Sequence, residues 1–114
     1  MSTTVRIDRL TLPIRIGILD HERTGPQTVE ISIAMAVRDG LLPDDYVSYA
    51  PVVEHLIALS ESGRHIDLVE DLTDEIFAFL FADDRIAEAT VTVMKPDIFT
   101  QAGGVGVTVT RANR

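Results

Sequence analysis

Lys95 is the only lysine in a chain that carries nine arginines. Arginine keeps its proton under nearly all conditions, whereas a lysine shielded from water can release one and act as a base. Pro96 follows it and restricts Lys95 to extended backbone, which places the amine at the end of a strand segment. A composition that prefers arginine would also leave one lysine by chance, so both readings stand on the residue alone. Glu70 closes Asp67-Leu68-Val69-Glu70. This spacing fits a capping box at a helix start, and it equally offers a carboxylate that could grip a donor-rich ligand edge. Glu22 lies in a polar loop after a strand, where a solvated carboxylate is the plain reading. Tyr49 lies in Val47-Ser48-Tyr49-Ala50, where its hydroxyl could hand a proton to a developing anion or simply cap a packed ring. His21, His55 and His65 form no H-x-H or H-x-x-x-H pair, and the chain has no cysteine. No metal site is therefore expected.

The elements that must hold these residues follow from hydrophobic period. Over residues 5–19, Val5, Ile7, Leu10, Leu12, Ile14, Ile16 and Ile18 recur at every second position. The phase changes between Ile7 and Leu10, which predicts one long strand with a bulge near Asp8-Arg9. A polar loop with Gly25-Pro26 follows. Residues 28–38 alternate again and predict a second strand, ended by the stretch from Asp39 to Asp45. A first helix is expected from Ser48, with Pro51 in its first turn, to near Gly63. A second is expected from Asp67, with Leu68, Val69, Leu72, Ile76, Phe79 and Leu80 on one stripe. Strands over 88–94 and 104–111 complete the order β-β-α-α-β-β. This predicts an α+β fold, a four-stranded antiparallel sheet with two helices on one face. Gly103-Gly104-Val105-Gly106 reads as a turn feeding the last strand. An open sheet leaves two edges, which subunits closing a barrel would remove and which short, twisted edges would blunt in a monomer.

The bulk composition narrows the function classes. The chain has 114 residues, 46% of them hydrophobic and 25% charged, which predicts a single domain over residues 1–114. Its formal net charge is −8, a poor match for nucleic-acid phosphates or an anionic membrane surface, so neither partner is expected. No apolar run approaches a membrane span, and the first residues carry charge where a signal peptide would be apolar. Absence of cysteine fits a reducing compartment, and a cytoplasmic setting is expected.

Taken together, five segments resemble the dihydroneopterin aldolase family of the folate pathway. They are Ile16-Gly17-Ile18-Leu19-Asp20-His21-Glu22-Arg23 with Gln27 beyond it, Val47-Ser48-Tyr49, the run from Asp67 to Ile76, Val93-Met94-Lys95-Pro96, and Val105-Gly106-Val107. The likeness runs from about Val5 to Arg111 and rests on the order and spacing of the segments together. It implies the tunnelling fold, in which subunits join their sheets into a barrel, as a homo-oligomer (tetramer or octamer) with active sites at subunit interfaces. It implies Glu70 as the pterin anchor with backbone near Val69, and Glu22 near the base or a catalytic water. Lys95 would be the general base, and Tyr49 would reach in from a neighbouring subunit with Val47 lining that wall. No cofactor is needed, because a dihydropterin carries its own electron sink in the C=N bond beside the side chain.

Three places depart from the family pattern. Arg15-Ile16-Gly17 stands where Tyr-His-Gly is common, Asp67 where asparagine is common, and a shorter loop from Pro96 to Gly103 follows the lysine. The implied reaction is retro-aldol cleavage of 7,8-dihydroneopterin, with side-chain epimerisation by re-addition. The alternatives are a dihydroneopterin triphosphate epimerase, which would want cations such as Arg15, Arg23 and Arg64 gathered together, and a non-catalytic pterin-binding oligomer.

Overall fold

The computed structural model describes residues 2–41 and 44–114. Leu42 and Pro43, within the stretch expected to end the second strand, lie outside the described residues. The elements run β1 (Thr3–Ile16), β2 (Gln27–Val37), α1 (Ala50–Glu61), β3 (His65–Ile66), α2 (Val69–Phe81), β4 (Ile86–Lys95) and β5 (Val105–Ala112), with a 3-10 turn at Asp20–Thr24. The sheet order is β3-β1-β2-β4-β5. The fold is α+β as expected, but the sheet has five strands rather than four. The additional strand is the two-residue β3, which pairs parallel to the end of β1 through Arg15–His65 and Ile16–Ile66. Two residues are too few to show a period in sequence.

The bulge in β1 is where the phase change puts it. Ile7 faces Ile33 and Leu10 faces Ile31, so Asp8 and Arg9 together oppose Ser32. Arg9 takes a left-handed φ of 51°, and its N–H donates to Ser32 Oγ at 2.9 Å. The extra residue returns Leu10, Leu12, Ile14 and Ile16 to the face that Val5 and Ile7 began. The strand stops at Ile16, short of the expected residue 19. Gly17 turns the chain out at φ 121°, and Ile18 and Leu19 are exposed.

One face of the sheet is covered by both helices, α1 against β1 and α2 against β4 and β5. Ile14, Ile16, Val29, Ile31, Ile33, Met35, Val91 and Val93 meet Leu56, Leu72, Ile76, Phe77 and Leu80 there. Burial of this apolar surface, at about 25 cal/mol per Å², is the main force holding the layers together. On the other face, cross-strand threonines pair through their hydroxyls, Thr90 with Thr110 at 2.8 Å and Thr92 with Thr108 at 2.9 Å. Gly106 is required in β5, because a Cβ there would fall on the Val93 carbonyl oxygen. The alternation of β4 also places the site: Val91, Val93 and Lys95 are in phase, so the strand's last residue carries its amine to the buried face.

Both helix starts fall later than the sequence suggests. Tyr49 is the N-cap of α1, and Ser48 Oγ accepts from the Ala50 N–H at 3.2 Å. Leu68, not Asp67, is the N-cap of α2. No helix among the described residues is long and apolar enough to cross a membrane.

Candidate active site

Gly17 opens the loop after β1 and makes room for the turn beyond it. Its N–H donates to Ile66 O at 3.0 Å, tying it to β3, and the His65 ring nitrogen Nε2 lies 2.8 Å from its carbonyl oxygen. A Cβ at Gly17 would fall on the Glu22 carboxyl group. Glycine therefore leaves the space into which the 3-10 turn folds Glu22. Glu22 is only 5% exposed, and Lys95, arriving from the end of β4, is 8% exposed. Lys95 Nζ donates to Glu22 Oε2 at 2.7 Å. The amide of Gln27 donates to the same oxygen at 2.8 Å and to Ile16 O at 2.8 Å. The Leu19 N–H donates to the other oxygen, Oε1, at 3.3 Å. The result is a buried, hydrogen-bonded ion pair at the mouth of a small cleft.

Burial pushes the Glu22 carboxyl up, but the hydrogen bonds from Lys95, Gln27 and the Leu19 amide together outweigh it, and its pKa lies below the ordinary value. A carboxyl lowered on folding adds stability that is fully present above its unfolded pKa. That stability is lost as pH falls through the folded pKa. Glu22→Gln leaves the Lys95 ammonium without its counter-ion, at a cost of about 3 kcal/mol or more. The wild-type advantage over Glu22→Gln in chemical denaturation should therefore be full at neutral pH. It should shrink as pH falls below the ordinary carboxylate range. An advantage unchanged between neutral pH and pH about 3 would contradict the ion pair.

The start of α2 lies at the same end of the sheet. Asp67 Oδ1 pairs with Arg23 Nη2 at 3.3 Å, next to Glu22 in the chain. The carboxylate that caps α2 belongs to Asp71, which accepts from the Leu68 N–H at 3.3 Å. The expected box of Asp67 with Glu70 is thus shifted by one residue, and Glu70 does not serve as the cap partner. Its carboxylate is exposed and takes no hydrogen bond among the described residues. Val69 beside it is half-buried. The two carboxylates should separate by assay. Asp71→Ala should lower stability by about 1 kcal/mol with little effect on ligand affinity. Glu70→Gln should leave melting unchanged and, if Glu70 is the pterin anchor that the resemblance implies, weaken pterin binding about tenfold or more. Unchanged pterin affinity in Glu70→Gln would remove Glu70 from the binding site.

Tyr49 and Val47 are elsewhere. Val47 lines a cavity of about 660 Å³ with Asp83, Arg85 and Ile86, at the start of β4. Arg85 Nη1 donates to Tyr46 O at 3.2 Å, fixing this segment there. Lys95 ends the same strand, nine residues beyond Ile86, which is about 30 Å at the rise of a β-strand. Within one chain, Glu22, Lys95, Val69 and Glu70 lie at one end of the sheet, and Val47 and Tyr49 at the other. Val47 is buried, whereas Tyr49 is 59% exposed.

The sequence profile of the FolB dihydroneopterin aldolase family matches residues 5–110. The chain belongs to the dihydroneopterin aldolase family. It is 28% identical to an E. coli dihydroneopterin aldolase solved in complex with neopterin, with a TM-score of 0.84 over 96% of this chain and 99% of that one. A Vibrio cholerae structure assigned as a dihydroneopterin aldolase is 26% identical, with a TM-score of 0.83 over 96% and 97%. A Burkholderia dihydroneopterin aldolase bound to guanine shares the fold, at 24% identity and a TM-score of 0.77 over 97% and 91%. No curated protein matches by sequence.

Membership of the aldolase family gives the ion pair its context, and two residues join the site that composition and spacing did not single out. Gln27 fixes which Glu22 oxygen meets Lys95. A glutamine opening a strand straight after Gly-Pro, half-buried where a polar loop would be solvated, is the signal that could have found it. Gly17 is the other, and its role depends on a carboxylate five residues on folding back over it.

Proposed function

We infer that the protein cleaves 7,8-dihydroneopterin by a retro-aldol reaction to 6-hydroxymethyl-7,8-dihydropterin and glycolaldehyde, a step of folate biosynthesis. The observation that carries this reading is the buried Glu22–Lys95 pair at 2.7 Å in a chain that matches the aldolase family over nearly its whole length. The reaction needs a base at the side-chain 2′-hydroxyl and an acid at C1′. Lys95 passes its own proton to Glu22 along their hydrogen bond at 2.7 Å as its nitrogen, directly or through a water, takes the hydroxyl proton. The C1′–C2′ bond then breaks, C2′ becomes the aldehyde carbon, and the electron pair flows into the adjacent ring C=N bond. Tyr49 returns a proton at C1′, giving the hydroxymethyl product. Re-addition before the aldehyde leaves would invert C2′, which is the route to epimerisation. Glu70 accepts from the pterin 2-amino and N3 hydrogens, with backbone near Val69 beside it, and holds the ring in register.

The placement of the two residue sets at opposite ends of β4, a strand about 30 Å long, supports a site shared between subunits. Lys95, Glu22 and Glu70 would come from one chain and Tyr49 and Val47 from its neighbour. The free outer edges also support assembly: among the described residues, β5 has a partner only in β4 and β1 is paired on its outer side only at Arg15 and Ile16. The reading is therefore a homo-oligomer, tetramer or octamer, with sheets joined into the tunnelling-fold barrel. A cysteine-free chain supports a cytoplasmic setting. Incubation of the purified protein with 7,8-dihydroneopterin should release glycolaldehyde and the hydroxymethyl pterin in equal amounts. Binding without release of glycolaldehyde would reduce the protein to a pterin binder.

A further inference from the structure

We propose that His65 is a positioning residue for the reaction: its ring N–H holds the Gly17 carbonyl, and through Gly17 it fixes the turn that brings Glu22 onto Lys95. The inference rests on the aldolase reading above and adds to it a residue that does not touch the reacting groups. His65 and Ile66 form the two-residue β3, which pairs parallel to the end of β1 at Arg15 and Ile16. Gly17 follows at once, and β3 holds its backbone from both ends. Its N–H donates to Ile66 O at 3.0 Å. Its carbonyl oxygen lies 2.8 Å from His65 Nε2. A carbonyl oxygen can only accept, so the ring proton at this contact is on Nε2. The His65 side chain is 24% exposed, so water competes for this bond only in part.

The conformation of Gly17 decides where Glu22 goes. Gly17 takes φ 121°, and a glycine keeps one conformation only where its surroundings fix it. The space its missing Cβ leaves is the space of the Glu22 carboxyl group. From Gly17 the chain enters the 3-10 turn through Ile18 and Leu19, both exposed, so their side chains do little to anchor the entry. The Leu19 N–H donates to Glu22 Oε1 at 3.3 Å, so a shift at Gly17 reaches the carboxylate within two residues. The other neighbour of His65 Nε2 is Asp67, with Oδ1 at 3.8 Å and its side chain 59% exposed. That distance is beyond a hydrogen bond and the pair is screened by water, so the Gly17 carbonyl is the partner that counts. Loss of the ring donor frees this carbonyl, lets the entry to the turn swing and lengthens the proton path between Lys95 and Glu22. Misplacement of reacting groups by about 1 Å costs up to about 100-fold in rate. The proposed pterin anchor, Glu70, is carried by α2 rather than by this turn, so the loss falls on kcat.

The test compares His65→Asn, His65→Phe and His65→Gln in the full-length protein with 7,8-dihydroneopterin. Glutamine carries an amide N–H about where Nε2 stands, asparagine is too short to reach Gly17 O, and phenylalanine keeps a ring without a donor. His65→Asn and His65→Phe should each lower kcat about tenfold or more, with KM and affinity for the hydroxymethyl product within about twofold of wild type. His65→Gln should restore kcat to within about threefold of wild type. A kcat within about twofold of wild type in both His65→Asn and His65→Phe would overturn the role of His65. Equal losses in all three variants would overturn it too, since a packing role is blind to the donor. Either result leaves the aldolase reading standing. Absence of glycolaldehyde from the wild-type reaction would overturn that reading and this inference with it.

Discussion

Lys95→Arg should lower turnover of 7,8-dihydroneopterin by about 100-fold to 10,000-fold, the range expected for loss of a positioned general base. Arginine keeps the positive charge and can still pair with Glu22, so the fold and the electrostatics of the pocket are largely retained. It does not release its proton near neutral pH, so the hydroxyl at C2′ has no acceptor. Affinity for the hydroxymethyl product should change little, because the proposed anchor of the pterin ring is Glu70 at the α2 start rather than Lys95. This division between kcat and binding separates a base from a merely structural cation. Turnover near the wild-type value in Lys95→Arg would remove Lys95 from the chemistry.

Gly17→Ala should be the most damaging single substitution outside the reacting groups. Gly17 sits at φ 121°, a conformation that side-chain-bearing residues rarely adopt, at a cost of about 1–3 kcal/mol. The new Cβ would also occupy the space of the Glu22 carboxyl group. Either the backbone shifts, breaking the Gly17 N–H bond to Ile66 and the His65 contact, or Glu22 is expelled and Lys95 loses its buried partner. The second route alone costs about 3–5 kcal/mol. Melting temperature should fall by about 10 °C or more, and turnover should fall with it. A Gly17→Ala protein that melts within about 2 °C of wild type would show that the carboxyl does not pack against this glycine.

Much of this arrangement is legible in the residues, and the reason differs from place to place. The β1 bulge is visible because both halves of the strand must show apolar residues to the same layer, so the slip in phase has to be absorbed by an extra residue. Burial of Lys95 continues the alternation of Val91 and Val93, but the strand expected over 88–94 stops one residue short of it. The frame of the α2 cap is not legible. Asp67 and Leu68 are each followed three residues later by a carboxylate, and local spacing weighs both alike. Pairing of β3 with β1 keeps the chain extended past Ile66, and the helix starts one residue later than the aspartate suggests. The meeting of Glu22 and Lys95, 73 residues apart, is beyond any local pattern, and only the resemblance to a family brought the two together in advance. The same holds for the distance between Tyr49 and Lys95, which no spacing argument could supply.

The sharing of one site between two chains is tested most directly by mixing subunits. Tyr49→Phe protein keeps Lys95, and Lys95→Ala protein keeps Tyr49. Each should be nearly inactive alone. Dissociated together in equal amounts and reassembled, they should recover about one quarter of wild-type turnover, since that share of interfaces draws an intact Tyr49 from one variant and an intact Lys95 from the other. No recovery, with reassembly verified by sedimentation, would mean that Tyr49 and Lys95 do not meet across a subunit interface.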